Sequence, residues 1–236
     1  MPQQGDRAAD VDYGAARRRI SLDDGFLLAR SPQGRGLRQR WVRLSLTPLQ
    51  RRLAAALATR TVPPLPAPRD PREPWAAVAV ILSSNPDSVL LIRRAERPGD
   101  PWSGHFGLPG GRFDSADPDL LATAIRETAE EIGYTLTTEG LLGPLDDVWP
   151  RTPLPRMIVV RPYVFAVPSR GPVTPSPEVA EAFWVPFAEL RRPEVFRDAI
   201  VSLRGEDRTF PAYHLAPGVV WGLTERILTA VLQLVI

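Results

Sequence analysis

The sequence predicts an α/β (α+β) sandwich built on a mixed β-sheet, preceded by a basic N-terminal extension. Three observations carry this. Apolar runs of strand length stand both before and after one well-patterned helix in the middle of the chain. Six prolines between 61 and 74 mark a boundary ahead of that region. Charge divides at the same place: residues 1–72 hold 14 Arg against 6 Asp, and residues 73–236 hold 15 Arg against 21 Asp and Glu. The expected organisation is therefore 1–74 as basic leader, short helix and Pro-rich linker, and 75–236 as the functional domain.

The 236 residues are 44% hydrophobic and 24% charged, enough apolar material for one sizeable core. The chain has no Cys, which excludes disulfides, thiolate metal sites, iron–sulfur clusters and a cysteine nucleophile. All 29 basic residues are Arg, so a catalytic Lys, a P-loop and Schiff-base chemistry are excluded too. No apolar run approaches the roughly 20 residues that span a bilayer.

Along the chain, 1–46 reads as a polar, Arg-rich, solvated segment. The Arg17-Arg18-Arg19 run would suit nucleic acid, but a solvated leader is the simpler reading. Its five aspartates argue against an organellar transit peptide, and it lacks the charged-then-apolar order of a secretory signal, so cytoplasmic residence is expected. A helix is predicted over 48–60, with Thr47 as cap, Pro48 in the first position, and Leu49, Leu53 and Leu57 on one stripe. Residues 76–82 and 89–92, joined by Ser-Asn-Pro-Asp, predict a β-hairpin. A Gly- and Pro-bearing loop leads to Gly111. Asp117 then reads as the cap of a helix running from Pro118 to Ile132 and ending at Gly133. Further strands are predicted at 144–149, 157–166, 180–185, 198–203 and 208–213, and an amphipathic helix at 223–235.

The chemistry concentrates at Gly110-Gly111 and in the helix segment from Arg126 to Gly133. At ~100° per residue, Glu127, Glu130 and Glu131 fall within an arc of roughly 100°, and Leu121, Ile125 and Ile132 lie on the far side. One helix face is thus buried and the other presents three carboxylates, whose mutual repulsion calls for positive charge. Oxygen ligands without Cys or His suit Mg²⁺ or Mn²⁺. Arg126 can pair with one carboxylate and fix its rotamer. A glycine pair permits close approach of backbone to metal or ligand. Read without any family, three Glu are as well a solvated face and Gly-Gly a turn.

Together these residues resemble the Nudix hydrolases, whose box reads G-x5-E-x7-R-E-U-x-E-E-x-G-U with U apolar. The match runs through Gly111, Arg126, Glu127, Glu130, Glu131, Gly133 and Tyr134. The Gly-to-Arg step is one residue longer than in the pattern, and Asp117 stands where the box has its first Glu. Both departures resemble the coenzyme A pyrophosphatase branch, as do Leu90-Leu91-Ile92-Arg93-Arg94-Ala95, Gly104 four residues before Leu108, and Trp221-Gly222-Leu223-Thr224. That branch's Arg four residues before this glycine is absent, since position 100 is Asp.

The resemblance covers about 75–236 and implies a Nudix-type α/β/α sandwich that cleaves a diphosphate linked to a further group, with Mg²⁺ or Mn²⁺ as cofactor. It implies Glu127, Glu130 and Glu131 as metal ligands, joined by the backbone of Gly111, with Arg126 as organiser. Arg93, Arg94, Arg112, Gly110 and Gly111 are the expected substrate contacts, although strand alternation lets only one of Arg93 and Arg94 face the site. Glu178 and Glu181 are candidate general bases, or else exposed loop acids. His105 reads as a structural hydrogen-bonder, and His214 has no supporting context. Trp102, Trp149 and Tyr163 are either base-stacking or core residues. The expected partner is a nucleoside diphosphate derivative such as coenzyme A or an acyl form of it. The alternatives are nucleotide clean-up, acting on oxidised dNTPs or nucleotide sugars, and a silent nucleotide-binding or RNA-interacting module. No membrane contact and no nucleic-acid partner are expected, and a homodimer is left open.

Overall fold

In the computed structural model, the described residues are 8–12, 17–21, 26–30, 41–60, 75–99, 102–151, 158–203 and 205–235. The first four strands, β1 (Ala8–Asp12), β2 (Arg17–Ser21), β3 (Phe26–Arg30) and β4 (Trp41–Ser45), form an antiparallel meander. No strand was expected here, because these segments lack the apolar alternation that signals one. Helix α1 (Pro48–Ala58) follows as predicted, closed by a capping box in which the Thr47 hydroxyl accepts from the Gln50 N–H and the Gln50 side chain accepts from the Thr47 N–H. The Pro-rich stretch 61–74 lies outside the described residues.

The central sheet begins with the predicted hairpin, β5 (Trp75–Ser83) and β6 (Ser88–Arg94). Two short strands, β7 (Phe106–Gly107) and β8 (Gly110–Arg112), lie inside the stretch read as loop, β7 pairing with β6 and β8 with β5. After helix α2 (Leu120–Ile132) come β9 (Leu141–Pro144), β10 (Val159–Val167) and β11 (Val179–Pro186). The sheet order is β11-β6-β5-β10-β9, with β10 parallel to β5 and the other neighbours antiparallel. The strand expected at 144–149 lies earlier: beyond Pro144 only an isolated bridge, Val148 to Val160, continues the ladder. A short turn of helix, α3 (Phe187–Leu190), leads to a second antiparallel sheet of β12 (Phe196–Leu203), β13 (Glu206–Leu215) and β14 (Gly218–Trp221), and the described chain closes with α4 (Gly222–Gln233).

Strand alternation sorts the core into two layers. Val80, Leu82, Val89, Leu91 and Val164 join Leu49, Leu53 and Leu57 of α1 and Ile227, Leu228 and Val231 of α4. Ala77, Ala79, Ile81, Leu90, Ile92 and Phe165 join Leu120, Leu121, Ala124 and Ile132 of α2. The result is the expected α/β/α sandwich. Leu53 is fully buried, so a helix N-terminal to the Pro-rich stretch completes one face of the sheet.

Candidate active site

Helix α2 is capped by Asp119, whose carboxylate accepts from the Ala122 N–H at 2.8 Å; Asp117 was expected in this role. Asp117 serves elsewhere. Its carboxylate accepts from the Thr123 hydroxyl at 2.8 Å and takes a two-point grip from Arg126, Nε and Nη2 each at 2.9 Å. Burial alone would raise the Asp117 carboxyl, but the hydrogen bonds from Arg126, Thr123 and the Asp114 backbone outweigh it and hold it below the ordinary value.

Arg126 has two further duties. Nη1 donates to both Glu127 and Glu130, each at 2.9 Å, and Nη2 also donates to the Arg112 carbonyl at 3.2 Å. These contacts use every face of the guanidinium fork. Arg126 is therefore an internal clamp on the carboxylates and on the β8 backbone, with no donor left over for a substrate phosphate.

The three glutamates part company. Glu130 is exposed. Glu131, 5% exposed, turns inward and accepts from the Gly110 N–H at 2.9 Å. Burial is the dominant cause that pushes its carboxyl up to about 7, with Glu127 and Glu178 adding to the rise and Arg94 opposing it. Burial raises Glu127 as well, against the pull of Arg126.

Both glycines are required by what surrounds them. Gly110 has φ of 147°, and a Cβ there would overlap the Ala77 carbonyl. A Cβ at Gly111 would overlap the Glu127 carboxylate. Register with β5, Gly110 to Val78 and Gly111 to Ala77, holds the pair in place under the helix.

Among the described residues, no three carboxylate or imidazole groups converge as a ready ligand set. The donor chemistry nevertheless fits a hard divalent cation. Two carboxylates, both raised by burial, close on one glycine pair, Glu131 accepting from the Gly110 N–H and Glu127 occupying the place that a Gly111 side chain would take. Glu130, exposed and held by Arg126 through one oxygen, stands at the edge of this cluster.

Beside this cluster opens a cavity of about 500 Å³. Arg94 and Arg112 line it, and each also belongs to the carboxylate cluster, Arg94 through its charge on Glu131 and Arg112 through its carbonyl on Arg126. Arg93 faces the opposite way and pairs with Glu181 at 3.5 Å, which places both outside the cavity lining. Glu178 pairs with Arg97 at 3.3 Å and bears electrostatically on Glu131.

The far wall is aromatic. Trp221 stacks at a tilt on Phe210, with ring centroids 4.9 Å apart, and on Trp102 at 6.0 Å, while His105 meets it edge-on at 5.1 Å. Of the three aromatics weighed in the sequence as base-stacking residues, only Trp102 is here. Trp149 is exposed on the surface, and Tyr163 is buried on the α2 side of the sheet, where loss of solvent pushes its phenol up to about 12. His214 is at the second sheet, its Nε2 3.3 Å from the Asp198 carbonyl. Sequence reasoning missed Phe210, Arg151, Glu225 and Arg226, all of which line the cavity. Arg151 follows the box by 17 residues and the other three by more than 70, and only the Trp221-Gly222-Leu223-Thr224 stretch pointed toward them.

The family model described as the NUDIX domain matches residues 73–204. The chain belongs to this family, the Nudix hydrolases. An uncharacterized protein of Schizosaccharomyces pombe is 38% identical over 144 residues, which cover 55% of this chain and 43% of that protein. The mitochondrial coenzyme A diphosphatase of Homo sapiens is 35% identical over 171 residues, covering 67% of this chain and 68% of the relative. This chain thus spans less than half of the first relative and about two thirds of the second. The fold is shared with a MutT/nudix family protein of Enterococcus faecalis, at a TM-score of 0.50 and 18% identity, covering 74% of this chain and 64% of that one. Among the described residues, no helix is long and apolar enough to cross a membrane.

Proposed function

We propose that this protein is a divalent-metal-dependent hydrolase that cleaves a diphosphate linkage in a nucleoside-diphosphate derivative, with coenzyme A or its acyl forms as the favoured substrates. The carrying observation is that Arg94 and Arg112 belong at once to the Glu127/Glu131 cluster and to an aromatic-walled cavity of nucleotide size. The match to a relative named as a coenzyme A diphosphatase supports the substrate choice.

In this reading Glu127, Glu131 and the Gly111 backbone hold Mg²⁺ or Mn²⁺, with Glu130 as an outer member. When bound, such an ion supplies charge against phosphate oxygens and acidifies water. Arg126 fixes the Glu127 rotamer and ties it to β8 through the Arg112 carbonyl, so the cluster is set before substrate arrives. Arg94 and Arg112 bind the diphosphate, which Arg93, on the other face, does not reach. Gly110 keeps its N–H on Glu131 and lies close against the β5 backbone, and the neighbouring Gly110-Gly111 backbone borders the diphosphate in this reading. Glu178, close enough to raise Glu131, is the group to take the proton of the attacking water. The aromatic wall takes the nucleoside. Residues 75–236 form the hydrolase unit in this proposal, with α1 packed on it, and the reaction is placed in the cytoplasm.

The test is phosphate release from coenzyme A, NADH, ADP-ribose, nucleotide sugars and oxidised dNTPs, each with Mg²⁺ and with Mn²⁺. Metal-dependent turnover with coenzyme A favoured is the expected result. A preference for oxidised dNTPs or nucleotide sugars would move the protein to nucleotide clean-up, and no turnover with any of them would leave a silent binding module.

A further inference from the structure

We infer that Arg151 and Arg226 form a second anion site across the cavity from Arg94 and Arg112, one that binds a phosphomonoester carried on the ribose of the nucleotide. The inference rests on reading the cavity as the nucleotide pocket, and it narrows the substrate class to nucleotides that bear a ribose phosphate besides the diphosphate.

Charge points to it first. Arg94, Arg112, Arg151 and Arg226 line the cavity against one acid, Glu225. A diphosphate joined at both ends carries one negative charge per phosphate, so it leaves this lining positive. A phosphomonoester adds about −1.5 to −2 at pH 7.

Sheet register then sorts the arginines into two pairs. One rung runs from Arg112 on β8 through Ala76 on β5 and Val160 on β10 to Val148. Three strand spacings put the Arg112 and Val148 backbones roughly 14 Å apart. Arg94 ends β6, on the Arg112 side of β5, where its N–H donates to the His105 carbonyl at 3.0 Å. Arg151 follows Val148 by three residues, and Arg226 is tied to the same stretch by Nη1, which donates to the Trp149 carbonyl at 2.7 Å. Trp221 links the two pairs: its ring meets His105, and it stands five residues before Arg226.

The second pair is assembled against its own repulsion. Burial, then the charge of Arg151, draws the Arg226 guanidinium below its ordinary value, and Glu225 opposes them. Glu225 is nearly buried, accepts from Thr229 at 2.8 Å through Oε1, and feels both arginines. It offsets one of the two positive charges. Among the described residues, no carboxylate forms an ion pair with Arg151 or Arg226, so the pair keeps a net positive charge at the cavity wall. A guanidinium fork matches the oxygens of a phosphate.

The place of that phosphate follows from connectivity. The base stacks on the Trp221 wall and the diphosphate lies at Arg94 and Arg112, so the ribose that joins them sits between. Its remaining points of attachment are the 2′ and 3′ hydroxyls.

The experiment is equilibrium binding by titration calorimetry, with EDTA present to prevent turnover. The probes are two matched pairs: coenzyme A with 3′-dephospho-coenzyme A, and NADPH with NADH. Members of each pair differ only in the ribose phosphate, at the 3′ position in the first and the 2′ position in the second. The native protein should bind the phosphorylated member of at least one pair about 10-fold or more tighter, as expected for charge-assisted bonds. The pair that shows the gap assigns the position. Arg151→Gln and Arg226→Gln should each narrow the gap, and Arg93→Gln, on the other face of β6, should leave it. Arg151 is exposed, so its variant tests the site even if Arg226→Gln fails to fold. Equal binding within both pairs by the native protein, or a gap that Arg151→Gln leaves undiminished, overturns the inference. Because binding is read without turnover, absent hydrolysis in the substrate screen would sink the hydrolase reading and leave this result standing.

Discussion

Arg126 holds Asp117 through two parallel hydrogen bonds of 2.9 Å, and the same guanidinium reaches Glu127 and Glu130. One side chain thus joins the start of α2 to its acidic face. Asp117 is nearly buried and Arg126 about a third exposed, so the pair stands between a solvent-screened bridge and a fully buried one.

Asp117→Asn should lower stability by about 2 kcal/mol, below the figure for breaking a fully buried pair because Arg126 keeps access to water. The folded-state pKa of Asp117 is depressed, so its contribution is complete above its unfolded value near 3.8 and is lost as pH falls through the lower folded value. Urea unfolding of native and variant protein should show a constant gap from pH 6 to 8 that closes below pH 4. A gap that widens on acidification would contradict the pairing.

Glu131→Gln should abolish measurable turnover, a loss of roughly 100-fold or more, with the melting temperature unchanged or raised. The expectation of stability follows from burial: an amide in the place of a desolvated carboxylate removes a charge that the fold holds at a cost. Phosphate release and thermal melting on one preparation check both halves. Retained activity would remove Glu131 from the ligand set.

Arg94→Ala and Arg93→Ala should behave differently, although the residues are adjacent. Loss of Arg94 should raise KM about 10-fold or more, as expected for charge-assisted bonds to phosphate. Loss of Arg93 removes only a half-exposed pairing with Glu181 and should leave KM within about twofold. Steady-state kinetics of the two variants decides which face of β6 meets the substrate.

Leu53→Ala should cost about 2–5 kcal/mol, the range for truncating a fully buried leucine. Chemical denaturation of the whole chain is the measurement. A change under 0.5 kcal/mol would show that α1 is not part of the sandwich core.

Much of the site was legible because its residues are local. The register of Arg126, Glu127, Glu130 and Glu131 on one helix needs only 3.6-residue periodicity, and Gly110-Gly111 stands close by in the chain. Helix α1 and the β5–β6 hairpin were legible for the same reason: cap, proline and alternation are nearest-neighbour signals. The cap of α2 was misread because Asp117 and Asp119 both flank a helix start, and only the folded position of Arg126 shows which carboxylate is engaged elsewhere. Arg93 and Arg94 were recognised as alternatives by alternation, but sheet topology was needed to choose between them. The aromatic wall was legible only in Trp102, weighed as a base-stacking residue, and in the Trp221-Gly222-Leu223-Thr224 stretch. Phe210, Trp221 and Glu225 reach the cavity through the second sheet and the last helix, and composition carries no trace of that closure. Nor did patterning anticipate the meander β1–β4.

The spacing of the whole constellation depends on two methyl groups. Ala77 and Ala79, both fully buried, are the small side chains on the face that β5 turns to α2, between Trp75 and Ile81, and Ala77 also pairs with Gly111. Helix and glycine strand therefore ride at a height set by the smallest side chain that still fills space. Enlarging either alanine to valine would lift α2 away from β8 and detune the grip of Glu127 and Glu131 without altering one polar atom. The tolerances of the acidic cluster are those of an apolar shim beneath it, so a search for activity-altering substitutions confined to charged residues would pass over its most sensitive adjustment.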